Sequence, residues 1–230
     1  MSTANPARLG VVALLLADSR YPGGGHVHSG GLEEAVARGF VVGERELPSF
    51  LLGRLRTAGE LAAVFAAAAA LLPPDWALLD AELDARTPST AQRTASRAQG
   101  RGTMRAGVRA WPSPVLDALL RATPRPHHPI ALGALTGVAG GSPADAAAVA
   151  GYLAVSGPAS AAVRLLGLDP FAVNAMVADL SDELGAQALR AAGTAGLAPH
   201  DLPAPGSPGL DLLAEAHARQ HTEEVRLFAS

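Results

Sequence analysis

The sequence predicts an all-α protein, a single multi-helix bundle of about eight to ten helices over residues 1–230, with a glycine-rich loop after the first helix. Hydrophobic residues make up 49% of the chain and aromatic residues only 4%, so Ala, Leu and Val must build the core, and these residues suit closely packed helices. Apolar residues recur at spacings of three and four, and no period-two alternation is long enough for a strand. A capping residue followed by a proline is typical of a helix start. Six such pairs occur in the chain, at Asn5-Pro6, Thr87-Pro88, Ser113-Pro114, Ser142-Pro143, Asp169-Pro170 and Ser207-Pro208.

Each predicted helix carries its own apolar face. The spacing of three and four residues places these side chains along one side of a helix. In chain order, the faces are Leu9, Val12, Ala13 and Leu16; residues 50–65, before Pro73-Pro74; Trp76, Leu79 and Leu83, after Asp75 as a cap; Val115, Leu116, Leu119 and Leu120; and residues 130–139, before Gly140-Gly141.

Two apolar runs raise the question of membrane insertion or export. Residues 144–167 are strongly apolar, but Asp145, Pro158 and Arg164 interrupt them, which favours a buried core helix over a membrane span. Residues 9–17 form an apolar run after Arg8, and a basic residue before an apolar run is also found in signal peptides. However, no small-x-small cleavage site comes after this run. We therefore expect neither a membrane span nor an exported protein.

The composition excludes several kinds of chemistry. Cysteine is absent, which removes disulfides, thiolate metal sites and cysteine nucleophiles. Lysine is absent too, so all 18 basic residues are arginine and neither a P-loop lysine nor a Schiff-base lysine is present. The net charge of −3, spread along the chain, gives no case for nucleic-acid binding. No acid, base and nucleophile come together in any motif, so we expect no catalytic residues, no cofactor and no enzymatic activity. The alternative, an enzyme with its site inside the helical bundle, would need a pocket on which several polar side chains converge.

The loop of residues 22–31 is the most distinctive segment. It contains five glycines within nine residues, together with His26, His28 and Ser29. Ser29 is expected to cap the next helix, so that Glu33 and Glu34 lie in its first turn, and His28 is expected to brace the loop. The alternative is a metal-binding protein that uses His26 and His28, although two imidazoles alone do not complete a metal site.

Two further segments are predicted docking surfaces. Arginines at positions 93, 97, 101, 105 and 109 recur every four residues and would form a basic ridge on one helix, suited either to solvent or to an acidic partner. Residues 196–209 carry four prolines and three glycines, as expected for a loop. The amphipathic tail of residues 210–230 follows, and Leu227 and Phe228 near its end would be exposed unless a partner buries them.

Four blocks of residues resemble, in order, the urease accessory protein UreF family. The first is Asp18-Ser19-x-x-Pro22-x-Gly24-Gly25-x-x-His28-Ser29-x-Gly31-Leu32-Glu33, in which His26 stands where the family commonly has an aromatic residue. The second is Arg93, Ser96, Gln99 and Gly100. The third is His128-Pro129-x-x-x-Gly133 with Gly157, Ser160 and Arg164-Leu165, and the fourth is Arg226-Leu227-Phe228-x-Ser230.

The resemblance implies an all-helical, cytoplasmic homodimer without catalysis of its own. It implies a scaffold that bridges the nickel-carrying GTPase UreG and the accessory protein UreD (also called UreH), and that docks on apo-urease to promote nickel insertion; regulation of the GTPase is a further implied role. Carried onto this chain, the expected partner-binding residues are Pro22, Gly24, Gly25, His28, Ser29, Gly31, Glu33, Arg93, Arg97, Arg101, Arg226, Leu227, Phe228 and Ser230.

Overall fold

A computed structural model describes residues 6–23 and 28–220 of the chain. These residues form twelve α-helices and no strand, which confirms the predicted fold class with slightly more helices than expected. The helices are α1 (Pro6–Ala17), α2 (Leu32–Ala37), α3 (Leu47–Arg54), α4 (Glu60–Ala70), α5 (Trp76–Ala85), α6 (Thr90–Ala110), α7 (Pro114–Ala122), α8 (His128–Val138), α9 (Pro143–Leu166), α10 (Pro170–Ala178), α11 (Ser181–Thr194) and α12 (Pro208–Gln220).

Polar side chains cap the helices mostly where the sequence predicts. Asp75, Ser113 and Asp169 accept backbone N–H groups at the starts of α5, α7 and α10. Ser142 forms a reciprocal capping box with Asp145 at the start of α9. These hydrogen bonds satisfy donors that a helix start would otherwise leave unpaired.

The prediction of a helix start at Thr87-Pro88 is wrong. The hydroxyl of Thr87 donates to the carbonyl of Leu83 at the end of α5. Ser89 takes the capping position of α6 instead and accepts the N–H of Gln92 at 3.1 Å. A second capping residue two positions later therefore decides where this helix begins.

The core is centred on α4, whose residues are almost all buried. A π-helical turn, Leu55–Gly59, joins α3 to α4 in one continuous helix. The alanine-rich face of α4 packs against α8 and α9, because small side chains allow the helix axes to approach closely. Around them lies the larger hydrophobic cluster, which includes Phe65, Ile130 and Leu132, each at most 1% exposed.

The 24-residue helix α9 belongs to both hydrophobic clusters. Its first half packs in the larger cluster, and its second half joins α2, α3 and α10 in the smaller one, around Leu47, Leu51 and Val155. By length and composition α9 could cross a membrane, but 56% of its most apolar window is buried by the protein. Helix α9 is therefore buried as expected for the core helix that the sequence predicts.

The segment of residues 196–209 contains only a short 3₁₀ turn, Pro199–Asp201, and is otherwise irregular, as expected. It leads to α12, which begins at Pro208 as predicted; the carbonyl of Ser207 accepts the N–H of Asp211 at 2.9 Å. Helix α12 then packs against α2 and α6, and so the part of the predicted tail that the structure describes is docked on the bundle.

Candidate functional site

The first part of the glycine-rich loop is attached to α6. The hydroxyl of Tyr21 donates to the carbonyl of Thr103 at 3.2 Å. Before it, Asp18 accepts the backbone N–H of Arg20 at 2.8 Å and pairs with its guanidinium. Pro22 follows with an exposed side chain, so this partner-binding candidate lies at the surface.

The last part of the loop is held by Arg54 at the end of α3. Its Nη1 donates to the carbonyl of Gly30 at 2.7 Å, and its Nε donates to the carbonyl of Ala154 on α9 at 2.8 Å. Gly30 has a φ of 64°, and a Cβ at this position would lie 2.7 Å from the guanidinium carbon of Arg54. Burial lowers the pKa of Arg54 to about 10, so the side chain stays charged at neutral pH.

The prediction that Ser29 is the N-cap of α2 is wrong. Gly31, with a φ of 90°, takes that position and offers no side chain to cap the helix. Two successive residues with positive φ move the helix start to Leu32. Ser29 is nevertheless buried, and its hydroxyl accepts the N–H of Glu33 at 3.4 Å, while Glu33 lies in the first turn as expected.

The loop and α12 lie against each other. A Cβ at Gly31 would be 3.6 Å from Leu210 Cδ2 and 3.9 Å from Leu213 Cβ. Glu33 faces the same helix, with its Oε2 4.0 Å from Nε2 of the buried His217. Two segments predicted separately as docking surfaces, the end of the loop and the start of the tail, therefore pack against each other.

Two acidic residues attach α12 to the start of α6. Glu215 Oε1 accepts the hydroxyl of Ser89 at 2.7 Å and the N–H of Ala91 at 2.9 Å. Asp211 accepts an amide N–H of Gln92 at 3.0 Å. The hydrogen bonds from Ala91 and Ser89 lower the pKa of Glu215, and a carboxylate at this end of a helix is favoured by the helix dipole.

The arginine ridge divides into two partly buried and three exposed residues. Arg93 donates to the carbonyl of Thr87 at 2.7 Å. Arg97 bridges Asp80 at 2.9 Å and Asp84 at 2.6 Å. These two arginines are engaged within the protein. The exposed arginines of the ridge, which make no ion pair with the described part of the chain, are Arg101, Arg105 and Arg109.

Asp84 also belongs to a polar network that the sequence analysis missed. Its Oδ1 lies 3.0 Å from His127 Nε2, and His127 Nδ1 lies 3.0 Å from Ser96 Oγ. Burial alone would raise the pKa of Asp84, but hydrogen bonds from Arg97 and His127 lower it below its usual range. Burial, together with the charge of Arg97, lowers the pKa of His127.

This network joins three helices and does not resemble a hydrolytic site. Ser96 Oγ also accepts the backbone N–H of His128 at 3.2 Å, and Arg97 neutralises the charge of Asp84. The network therefore holds α5, α6 and the start of α8 together. The i,i+4 spacing of Asp80 and Asp84, matched by that of Arg93 and Arg97, is the sequence signal that points to it.

An open cavity of about 500 Å³ lies beneath the loop, between α3, α6, α8, α9 and α12. The polar side chains of His28, Arg54, Gln99 and His128 line it. Burial, with a smaller effect of His28, lowers the pKa of His128 to about 4. His128 is therefore neutral at physiological pH.

Several predicted site residues lie outside the described residues. They include the loop residues Gly24, Gly25 and His26, so the metal-binding alternative stays untested at His26. Within residues 6–23 and 28–220, no three His, Asp or Glu side chains are grouped to hold a metal ion. The tail residues outside the description are Arg226, Leu227, Phe228 and Ser230.

Comparison with known proteins identifies the family. The sequence pattern of the UreF family matches residues 41–181. A urease accessory protein UreF of Mycobacterium sp. (strain JLS) is 46% identical over 220 residues, which cover 94% of this chain and 97% of that protein. The UreF of Mycobacterium bovis (strain BCG / Pasteur 1173P2) is 46% identical over 222 residues (95% and 98%), and that of Mycobacterium marinum (strain ATCC BAA-535 / M) is 45% identical over 219 residues (94% and 97%). The chain therefore belongs to the UreF family of urease accessory proteins.

Proposed function

We propose that this protein is a non-catalytic scaffold of urease maturation. It bridges the GTPase UreG and the accessory protein UreD (UreH), and the assembly promotes nickel insertion into apo-urease. The protein acts in the cytoplasm as a homodimer and modulates the GTPase within that assembly. Membership of the UreF family over almost the whole chain is the observation that carries this proposal.

The surface shared by the loop and α12 supports a docking role. Pro22 on the loop and Leu212 on α12 are each exposed, Leu212 by 71%, and Gly31 lies against α12. A partner that contacts both segments at once would recognise a surface that exists only in the folded chain. We assign the predicted loop residues and the tail to this one contact.

Helix α1 offers a second feature that suits a protein partner. Val11, Leu14 and Leu15 are 54%, 72% and 49% exposed, and their spacing places them on one face of the helix. Neighbouring exposed apolar side chains are typical of surfaces that bind another protein. We assign this face, which leads into the loop, to partner contact as well.

Removal of the tail tests the docking proposal. Deletion of residues 226–230 is expected to weaken capture of UreD by this protein while the helical circular dichroism stays unchanged. Unchanged capture would refute the role of the tail.

Light scattering coupled to size-exclusion chromatography, on the protein alone and mixed with UreG and UreD, tests the proposed homodimer and the proposed bridge between the two partners. A monomer that joins neither partner would refute the scaffold.

A further inference from the structure

Arg54 carries a positive charge that no carboxylate in the described structure neutralises. Its hydrogen-bond partners are two main-chain carbonyls, those of Gly30 and Ala154. A guanidinium has five N–H donors, so these two bonds leave three without an acceptor among the described residues. A charge inside a protein is costly unless an opposite charge or a bound ion balances it.

Three other titratable groups on the cavity wall have partners of their own. Asp18, the single carboxylate among the described lining residues, pairs with Arg20 at 2.6 Å. Arg86 pairs with Glu82. His127 is bonded to Asp84. None of these groups neutralises Arg54, and the described cavity wall offers it no other carboxylate.

A second lining residue has an unused polar group. Thr103 on α6 has no exposed surface, and its Oγ1 has no hydrogen-bond partner among the described residues, although the residue lines the cavity. Buried hydroxyl groups are nearly always hydrogen-bonded. An unpartnered hydroxyl and an unneutralised guanidinium on the wall of one cavity both indicate space for a polar ligand.

We propose that the cavity binds a small oxyanion of the carboxylate or phosphate class, with Arg54 as its anchor. The flat guanidinium presents paired N–H groups that match two oxygens of such an anion. Gly30 keeps the loop close to the guanidinium without a side chain, so Arg54 is held in place before the anion arrives. This site takes a small anion rather than a partner protein, although His28 of the docking loop also borders the cavity.

Calorimetric titration of the isolated protein with sodium phosphate and with sodium formate tests the site. Sodium chloride at equal ionic strength is the control for non-specific screening. We expect saturable binding of at least one oxyanion to the wild type, weakened about tenfold or more in Arg54→Gln because charged hydrogen bonds are lost. The matched variant Arg56→Gln, two residues away on an exposed arginine paired with Glu183, should bind as the wild type does.

A second measurement covers the case in which Arg54→Gln does not fold. The side-chain Nε–H resonances of ¹⁵N-arginine-labelled wild type are followed during the same titration, and the Arg54 signal is assigned from its loss in Arg54→Lys. The Arg54 signal should shift in a saturable way while that of Arg56 stays fixed. Absence of oxyanion binding to the wild type, or equal binding by a folded Arg54→Gln, would overturn the proposal.

Discussion

Glu215 on α12 accepts a hydrogen bond from Ser89, 126 positions earlier in the chain, at 2.7 Å. Ser89 is the cap of α6, and the same carboxylate oxygen accepts the N–H of Ala91 in the first helical turn. The start of α6 is therefore completed by a side chain from the other end of the protein. This contact couples the helix that carries the arginine ridge to the helix that carries the predicted tail.

Substitution Glu215→Ala removes both hydrogen bonds. We expect the free energy of unfolding to fall by about 1 kcal/mol, the usual cost of a lost helix cap, and amide hydrogen exchange in α12 to become faster. Urea unfolding and exchange measured by mass spectrometry check the two effects. Glu44→Ala, at an exposed position, is the control, and equal results for the two variants would contradict the coupling.

Asp80 is the most buried acid of the network between α5, α6 and α8. It is 6% exposed and accepts from Arg97 and from the backbone N–H of His127. Asp80→Ala should lower the free energy of unfolding by about 3 kcal/mol or more, because it leaves the charge of Arg97 partly unpaired. Denaturant titration measures this loss. The exposed Asp117→Ala should stay within about 0.5 kcal/mol of the wild type; a similar small change in Asp80→Ala would show that the network contributes little.

Gly30→Ala tests whether the loop is built around Arg54. The φ of 64° and the close guanidinium both oppose a Cβ, so we expect a loss of about 1–3 kcal/mol. Gly185 on α11 has open space around it and an ordinary helical backbone. Gly185→Ala should therefore stabilise the protein by about 0.5–1 kcal/mol. Thermal unfolding of both variants should give shifts of opposite sign, and a stabilised Gly30→Ala would contradict the geometry.

His128 makes stability depend on pH. Its pKa in the folded protein is about 4, below the ordinary value of 6.5, so between these values the unfolded chain binds a proton that the folded chain does not. Stability should therefore fall as the pH drops from 6.5 towards 4, by at most about 1.4 kcal/mol per pH unit for this one group. Urea unfolding at several pH values should show a flatter decline for His128→Gln.

His200, which is 65% exposed, supplies the control for this pH series. His200→Gln should keep the slope of the wild type. Equal slopes for wild type and His128→Gln would show that His128 takes up its proton as readily in the folded protein as in the unfolded chain.

The exposed arginines of α6 test the acidic-partner hypothesis. Reversal of charge at Arg101, Arg105 and Arg109 to glutamate should weaken binding to the proposed partners UreG or UreD, most strongly at low salt, because ions screen interactions between exposed charges. Helical circular dichroism should stay unchanged. Arg45→Glu, at another exposed arginine, should bind normally. Unaltered affinity of the triple variant at low salt would assign the ridge to solvent.

The sequence by itself determined the helical fold class, most helix starts and the family. Caps such as Ser142 and Asp169 accept N–H groups only two or three residues away. The apolar periodicity of α4 or α8 repeats within about one helical turn. Caps and periodicity can therefore be recognised from neighbouring residues. The blocks around Ser29 and at the end of the chain, Arg226-Leu227-Phe228-x-Ser230, pointed to the UreF family, which the relatives confirm.

Only the tertiary structure decided how the site is assembled. The sequence places Arg97 and Arg101 on the same ridge, yet Arg97 faces Asp80 and Asp84 while Arg101 remains exposed. It also gives no sign that Gly31 lies against α12. These relationships join residues far apart in the chain, and their energies depend on burial and distance in the packed bundle, which no local pattern of side chains encodes.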